Sequence, residues 1–310
     1  MAKLMRNMLL MAKTETTAGV DAVPTAALNS ILARGIAPKP VNAEFADRDL
    51  IKPYFGYTGQ IQTQSYSMIE FEVELAGSGS LGVAPKFGPL LKASGFTETV
   101  VATTKVDYTP LTSVQSTVTI HCFVDGIKHA MTNCKGSVSF ALSAKGIPVM
   151  KYVFTGFVAI ITDLANPAGS DFTGFIAPLA VNKVNTPTFT IHSTAVKATE
   201  FSIDMGNQID YRNYIGSEDV TFTNRTPKGS ATFEYDPIAT KDWWTIVKLG
   251  TLNPLQMIHG TVAGNIVQID APKVQITDPI QSDDNGLVML GVNLALQPNV
   301  GNDEILVSVR

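Results

Sequence analysis

Apolar and polar residues alternate along much of the chain with period two, the pattern that sends successive side chains to opposite faces of a sheet. In Glu70-Phe71-Glu72-Val73-Glu74-Leu75 the apolar residues share one face and three carboxylates the other, which predicts a strand buried on one side only. Val118, Ile120, Cys122 and Val124 form a second apolar face, and Asp125-Gly126 suits a type I′ hairpin turn into the residues from Ile127 onward. Val138, Phe140 and Leu142 continue the alternation. After a turn at Lys145-Gly146 it resumes in Met150, Tyr152 and Phe154, so the order is an antiparallel meander and not a set of βαβ units.

The second half repeats this order. Tyr54-Phe55-Gly56 matches Tyr214-Ile215-Gly216, and Phe71-Glu72-Val73-Glu74 matches Phe233-Glu234-Tyr235-Asp236. Each match is followed by a short helical pattern. The first opens at Pro85 and carries Phe87, Leu90 and Leu91 before Gly95, with Gly88-Pro89 as a possible interruption; the second opens at Asp242 and carries Trp243, Trp244 and Val247 before Gly250. Strands follow in both, the last through Leu290, Val292, Leu294 and Leu296 and through Ile305, Val307 and Val309. The expectation is a mainly β chain of two related domains, each a β-sandwich flanked by a helix, over residues 50–165 and 186–310. Residues 166–185 read as a linker, and residues 1–49, which lack sustained periodicity, as an N-terminal arm. Chance similarity of two β domains is the competing explanation of the repeat.

Composition narrows the function. The chain has 310 residues, 45% of them hydrophobic and 16% charged, a globular profile light in charge, as expected of a surface covered by neighbouring subunits or of a plain excess of apolar residues. Its net charge of −4 supplies no basic footprint for nucleic acid. Residues 1–185 carry 15 basic and 13 acidic groups and residues 186–310 carry 8 and 14, so the second half is acidic. Two cysteines, Cys122 and Cys134, make neither a disulfide framework nor a zinc quartet and suit a reducing cytosol. The apolar run Met8–Ala12 ends at Lys13, well short of a signal peptide, and no stretch approaches the roughly 18 residues of a membrane-spanning helix.

The residues resemble a known family. Lys13-Thr14-Glu15, Asp21 to Thr25 and Asp47-Arg48-Asp49-Leu50 are similar to the opening of siphophage tail tube proteins, also called major tail proteins. The block from Glu70 to Gly79, with Gly82, Pro85, Gly88, Leu90-Leu91, Ala93 and Gly95 behind it, resembles that family's core signature. Asp107-Tyr108-Thr109-Pro110, Val124-Asp125-Gly126, Gly136-Ser137-Val138, Gly146-Ile147-Pro148 and Phe154-Thr155-Gly156 follow in order. The resemblance covers residues 13–160 and reaches the second half through the internal repeat.

It implies a β-sandwich with a flanking helix whose inner sheet joins those of other subunits into one continuous barrel, a ring of a hollow tube. It implies a structural virion protein of the phage tail, assembled in the host cytoplasm, that conducts DNA at ejection without holding it. The implied partners are further copies of the chain, tail terminator, tape measure and baseplate proteins, and passing double-stranded DNA; no membrane, cofactor or metal is implied. With two tube domains per chain, three chains make a pseudo-hexameric ring, a hexamer of chains being the alternative. A bore must not grip phosphate, so Glu70, Glu72, Glu74, Glu234 and Asp236 are candidate lumen-facing residues forming acidic rings; a solvated face outside the tube is the other reading.

Competing chemistry is weaker. Gly77-Ser78-Gly79-Ser80-Leu81-Gly82 fits the spacing of a dinucleotide fingerprint, which makes a nucleotide-binding enzyme the alternative function. The strand before it alternates carboxylate and hydrophobe, whereas a cofactor-binding parallel strand is apolar throughout. His121, Cys122, His129 and Cys134 fit no zinc spacing; alternation puts Cys122 in the core and His121 opposite, and the histidines read as surface groups. No serine elbow or supported nucleophile is present, so no catalytic residue is assigned. Trp243-Trp244 reads as one core ring and one ring at a subunit contact. An outer-membrane barrel and a related terminator or baseplate component complete the alternatives.

Overall fold

The structure, a computed structural model, describes residues 3–113 and 115–310. The chain is mainly β, with three short helices among the described residues. Its strands form two layers around one continuous apolar core.

The inner layer is an eight-stranded antiparallel sheet. Its order is Ala33–Asp47, Gln60–Glu74, Val149–Gly156, the second part of Ile127–Ser143, Ala198–Asp204, Lys228–Glu234, Leu287–Gln297 and the second part of Val267–Asp284. The first four strands come from one half of the chain and the last four from the other, and they meet where Ser139–Ser143 pairs with Glu200–Asp204. In the outer layer, Ser30–Ile31, Met8–Thr14, Val118–Val124, Ile127–Cys134 and Ile160–Asp163 are neighbours in that order. The second half runs its outer strands the same way, through Thr194–Ala195, Thr188–Ile191, Leu252–His259, Val267–Ala271 and Leu306–Val309. In both halves one long strand, Ile127–Ser143 or Val267–Asp284, crosses from the outer to the inner layer.

Local chemistry explains the turns. Asp125 (φ 44°) and Gly126 (φ 85°) close the two-residue hairpin between Val124 and Ile127, as the type I′ turn requires, and Asn285 (φ 53°) and Gly286 (φ 88°) do the same between Asp284 and Leu287. The helices Gly88–Ala93 and Trp243–Leu249 lie near the predicted places. Pro89 falls in the first turn of its helix, where no N–H is needed, and so starts the helix instead of interrupting it. Asp242 caps the second helix by accepting from the Thr245 amide, and Gly250 ends it at φ 61°.

Residues 1–49 differ from the sequence expectation, because two long strands lie there besides the short Ser30–Ile31. Met8–Thr14 has Leu9, Leu10, Met11 and Ala12 all buried, since both its faces are covered and alternation has no cause. Ala33–Asp47 contains two prolines and three register shifts against Gln60–Glu74, which break the period-two pattern.

Several contacts lock the halves together. Besides the inner joint, Lys105–Pro110 pairs with Leu306–Val309 in the outer layer. The hairpin of Asn207–Tyr214 and Ser217–Arg225 folds over the first half: Tyr211 stacks on Tyr66 at 5.4 Å, and the Asn133 side-chain amide donates to Asp219 at 2.8 Å. The core includes the stacked rings of Phe71, Tyr152 and Phe154 in the first half and Phe233 against Trp243 in the second.

Candidate functional site

With one face of the inner sheet packed on the core, the opposite face is the large polar surface. Alternation places Glu70, Glu72 and Glu74 there, since Ile69, Phe71, Val73 and Leu75 are buried. Register then decides what stands beside them. One row runs across all eight strands as Arg34, Glu72, Lys151, Ser139, Asp204, Lys228, Ala295 and Gln275. The next runs as Glu74, Val149, Ala141, Ser202, Ser230, Asn293 and Thr277. Small neutral side chains fill the middle, and charges of both signs are interleaved.

Three of the five candidate carboxylates are accordingly compensated. Glu70 pairs with Lys151 at 2.5 Å, Glu72 with Arg34 at 2.8 Å and Glu234 with Lys197 at 2.9 Å. The hydrogen bond and charge of Glu70 hold Lys151 above the usual ammonium value, and Glu234 does the same for Lys197. Glu74 shares the open face, and Asp236 lies two residues beyond the Lys228–Glu234 strand, half-buried. Glu70, Glu72 and Glu234 are each matched by a cation, whereas Glu74 stands opposite Val149 and neither it nor Asp236 has an ion-pair partner among the described residues. Cross-strand partners of this kind cannot be read from one strand's alternation.

The face is concave at its centre, where Ser139, Ala141, Ser202, Asp204, Lys228 and Ser230 border a shallow depression spanning both halves. The ends of the sheet differ from each other. At one end project the connection 48–59 and the hairpin tip at Tyr214–Ser217, with Ile51, Phe55 and Ile215 wholly exposed. At the other end lies an apolar groove lined by Leu142, Val181, Pro187, Phe189, Val196 and Leu287.

The remaining motifs have packing roles. A Cβ on Gly77 would stand 2.0 Å from the Gly264 carbonyl oxygen; the Gly77 amide donates to the Asn265 side chain and the Gly79 amide to Gly264. The glycines thus allow two loops to touch backbone to backbone, and the sheet beside them is antiparallel, unlike a dinucleotide site. His121 is buried and paired with Asp21 at 3.0 Å, not at the surface as alternation suggested, because residues 17–25 cover that face of the outer sheet. Among the described residues no group of three or more His, Cys, Asp or Glu is placed to hold a metal ion, and no helix is long and apolar enough to cross a membrane. Trp243 is in the core, while Trp244 is half-buried and donates its indole N–H to Tyr235.

No curated protein matches the chain. Residues 5–298 match the family model described as phage tail tube protein. With a mainly β fold and a match over nearly its whole length, the chain belongs to the phage tail tube protein family.

Proposed function

We propose that three copies of this chain close into a pseudo-hexameric ring, that rings stack head to tail into the tail tube, and that the polar face of the inner sheet lines the bore through which DNA passes. The observation that carries this reading is the joint inside the chain, where two four-stranded units already meet edge to edge at Ser139–Ser143 and Glu200–Asp204. The outermost strands, Ala33–Asp47 and the end of Val267–Asp284, have no neighbour on their far sides among the described residues, and closing a ring would pair them. Three chains supply twenty-four strands. At spacings of about 4.8 Å and tilts of about 45°, opposite walls of such a barrel stand roughly 50 Å apart, which leaves an aqueous bore after side chains are added.

The recurring order of strand pairings supports two tube domains per chain and hence the trimer over a hexamer of chains. The apolar tips at one end and the apolar groove at the other support stacking of one ring on the next, a heterologous contact that repeats without closing. A bore lined by small neutral residues and compensated charges gives phosphate no binding field, so DNA slides without counterion release. The role is structural and not enzymatic. Tail terminator and baseplate proteins would cap the tube, and tape measure protein would occupy the bore before DNA does.

Electron microscopy of the purified chain at rising concentration tests the proposal. Hollow tubes whose rings show three chains and six similar lobes are expected. Compact monomers under all conditions would overturn it, and twelve lobes per ring would replace the trimer by a hexamer.

A further inference from the structure

The joint within the chain also fixes a register for the joint between chains. The strand pairings of the two halves coincide when Phe71 is set on Phe233. Met68 then falls on Ser230, so Lys39, which stands opposite Met68, falls on Ser202, which stands opposite Ser230. By the same rule Val149 falls on Leu287, so Ala141, opposite Val149, falls on Asp284, opposite Leu287. Inside the chain Ala141 and Ser202 face each other across the joint. Their equivalents at the two outer edges are Asp284 and Lys39.

Resting on the ring reading above, we propose that the Ala33–Asp47 edge of one subunit pairs antiparallel with the Val267–Asp284 edge of the next, in the register that sets Lys39 against Asp284. Both side chains are exposed, and neither has an ion-pair partner within the protomer among the described residues. The permanent joint carries a neutral pair at this position, whereas the joint that forms between molecules carries opposite charges. Opposite charges favour the unlike pair of edges, since two Ala33–Asp47 edges would set Lys39 near its own copy. Both edges also hold exposed apolar residues that a neighbour would cover: Val41 and Phe45 on one, Ile280 on the other.

Disulfide trapping in the full-length chain tests the register. Lys39→Cys and Asp284→Cys are combined in one chain, which is assembled and oxidised; Cys122 and Cys134 are buried and stay out of the reaction. Covalent oligomers ending in a closed trimer are expected on a non-reducing gel, and the offset combination of Lys39→Cys with Ile280→Cys should stay monomeric. Equal trapping of the offset combination, or no trapping while tubes are visible by microscopy, overturns the register and leaves the ring standing. Absence of tubes and rings from the unaltered chain removes the ring itself. Charge exchange gives an independent measure should the cysteine variants fold poorly. Lys39→Asp should raise the concentration needed for assembly about tenfold, and adding Asp284→Lys should restore it. A single exchange without effect would remove the ion pair from the proposal.

Discussion

Glu15 is a buried carboxylate that pairs with no cation among the described residues. Its oxygens accept from the Gly19 amide at 2.8 Å, the Thr117 hydroxyl at 2.7 Å, the Thr119 hydroxyl at 2.8 Å and the Asn133 amide at 2.8 Å. It thereby ties the N-terminal segment to the residue where the long strand bends out of the outer layer, Asn133 at φ 52°. Glu15→Ala would leave buried donors unpaired and should cost on the order of 2–4 kcal/mol, read as a lowered denaturation midpoint. Histidines set the acid response. All four are held below their ordinary value of 6.5, chiefly by burial. The unfolded chain therefore takes up protons first as pH falls below about 6.5, and the stability contributed by neutral histidine is lost on going down through the folded values. Melting temperature should be flat above neutrality and fall as pH drops below about 6.5, as calorimetry over a pH series would show.

Among the elements, those with one face in the core were legible in the sequence. Gln60–Glu74 follows its alternation and Val149–Gly156 largely does, while Val118–Val124 is a strand as expected but is buried on both faces; the second flanking helix lies where its cap and glycine signals placed it, and the first begins at Gly88, three residues after the expected Pro85. Met8–Thr14 was hidden because burial on both faces erases periodicity, and Ala33–Asp47 because prolines and bulges shift its phase. Of the candidate site, the side of the strand carrying Glu70, Glu72 and Glu74 was legible. Arg34 and Lys151, which pair with Glu72 and Glu70, were not, since long-range register joins residues 38 and 81 positions away. The connection 48–59 bears on stacking. Replacing Ile51 and Phe55 by serine removes no buried contact, so the monomer should melt unchanged, while microscopy should show rings that no longer elongate into tubes.

At the scale of the whole molecule the open face balances charge without being free of it. Glu70→Gln, Glu72→Gln and Glu74→Gln together would leave Arg34 and Lys151 unpaired on the open face, which in the proposed ring would turn the bore toward positive charge. Tubes built from that variant should co-sediment with duplex DNA at low salt and release it steeply as salt rises, whereas unaltered tubes should not bind. The inner joint between the halves has a kinetic consequence as well. In the proposed ring of three chains every other seam would be closed when the chain finishes folding, so its formation would need no collision and lose no translational freedom. A ring would then arise from two encounters in place of five, its onset would depend less steeply on protein supply, and a half-built ring would have fewer ways to come apart.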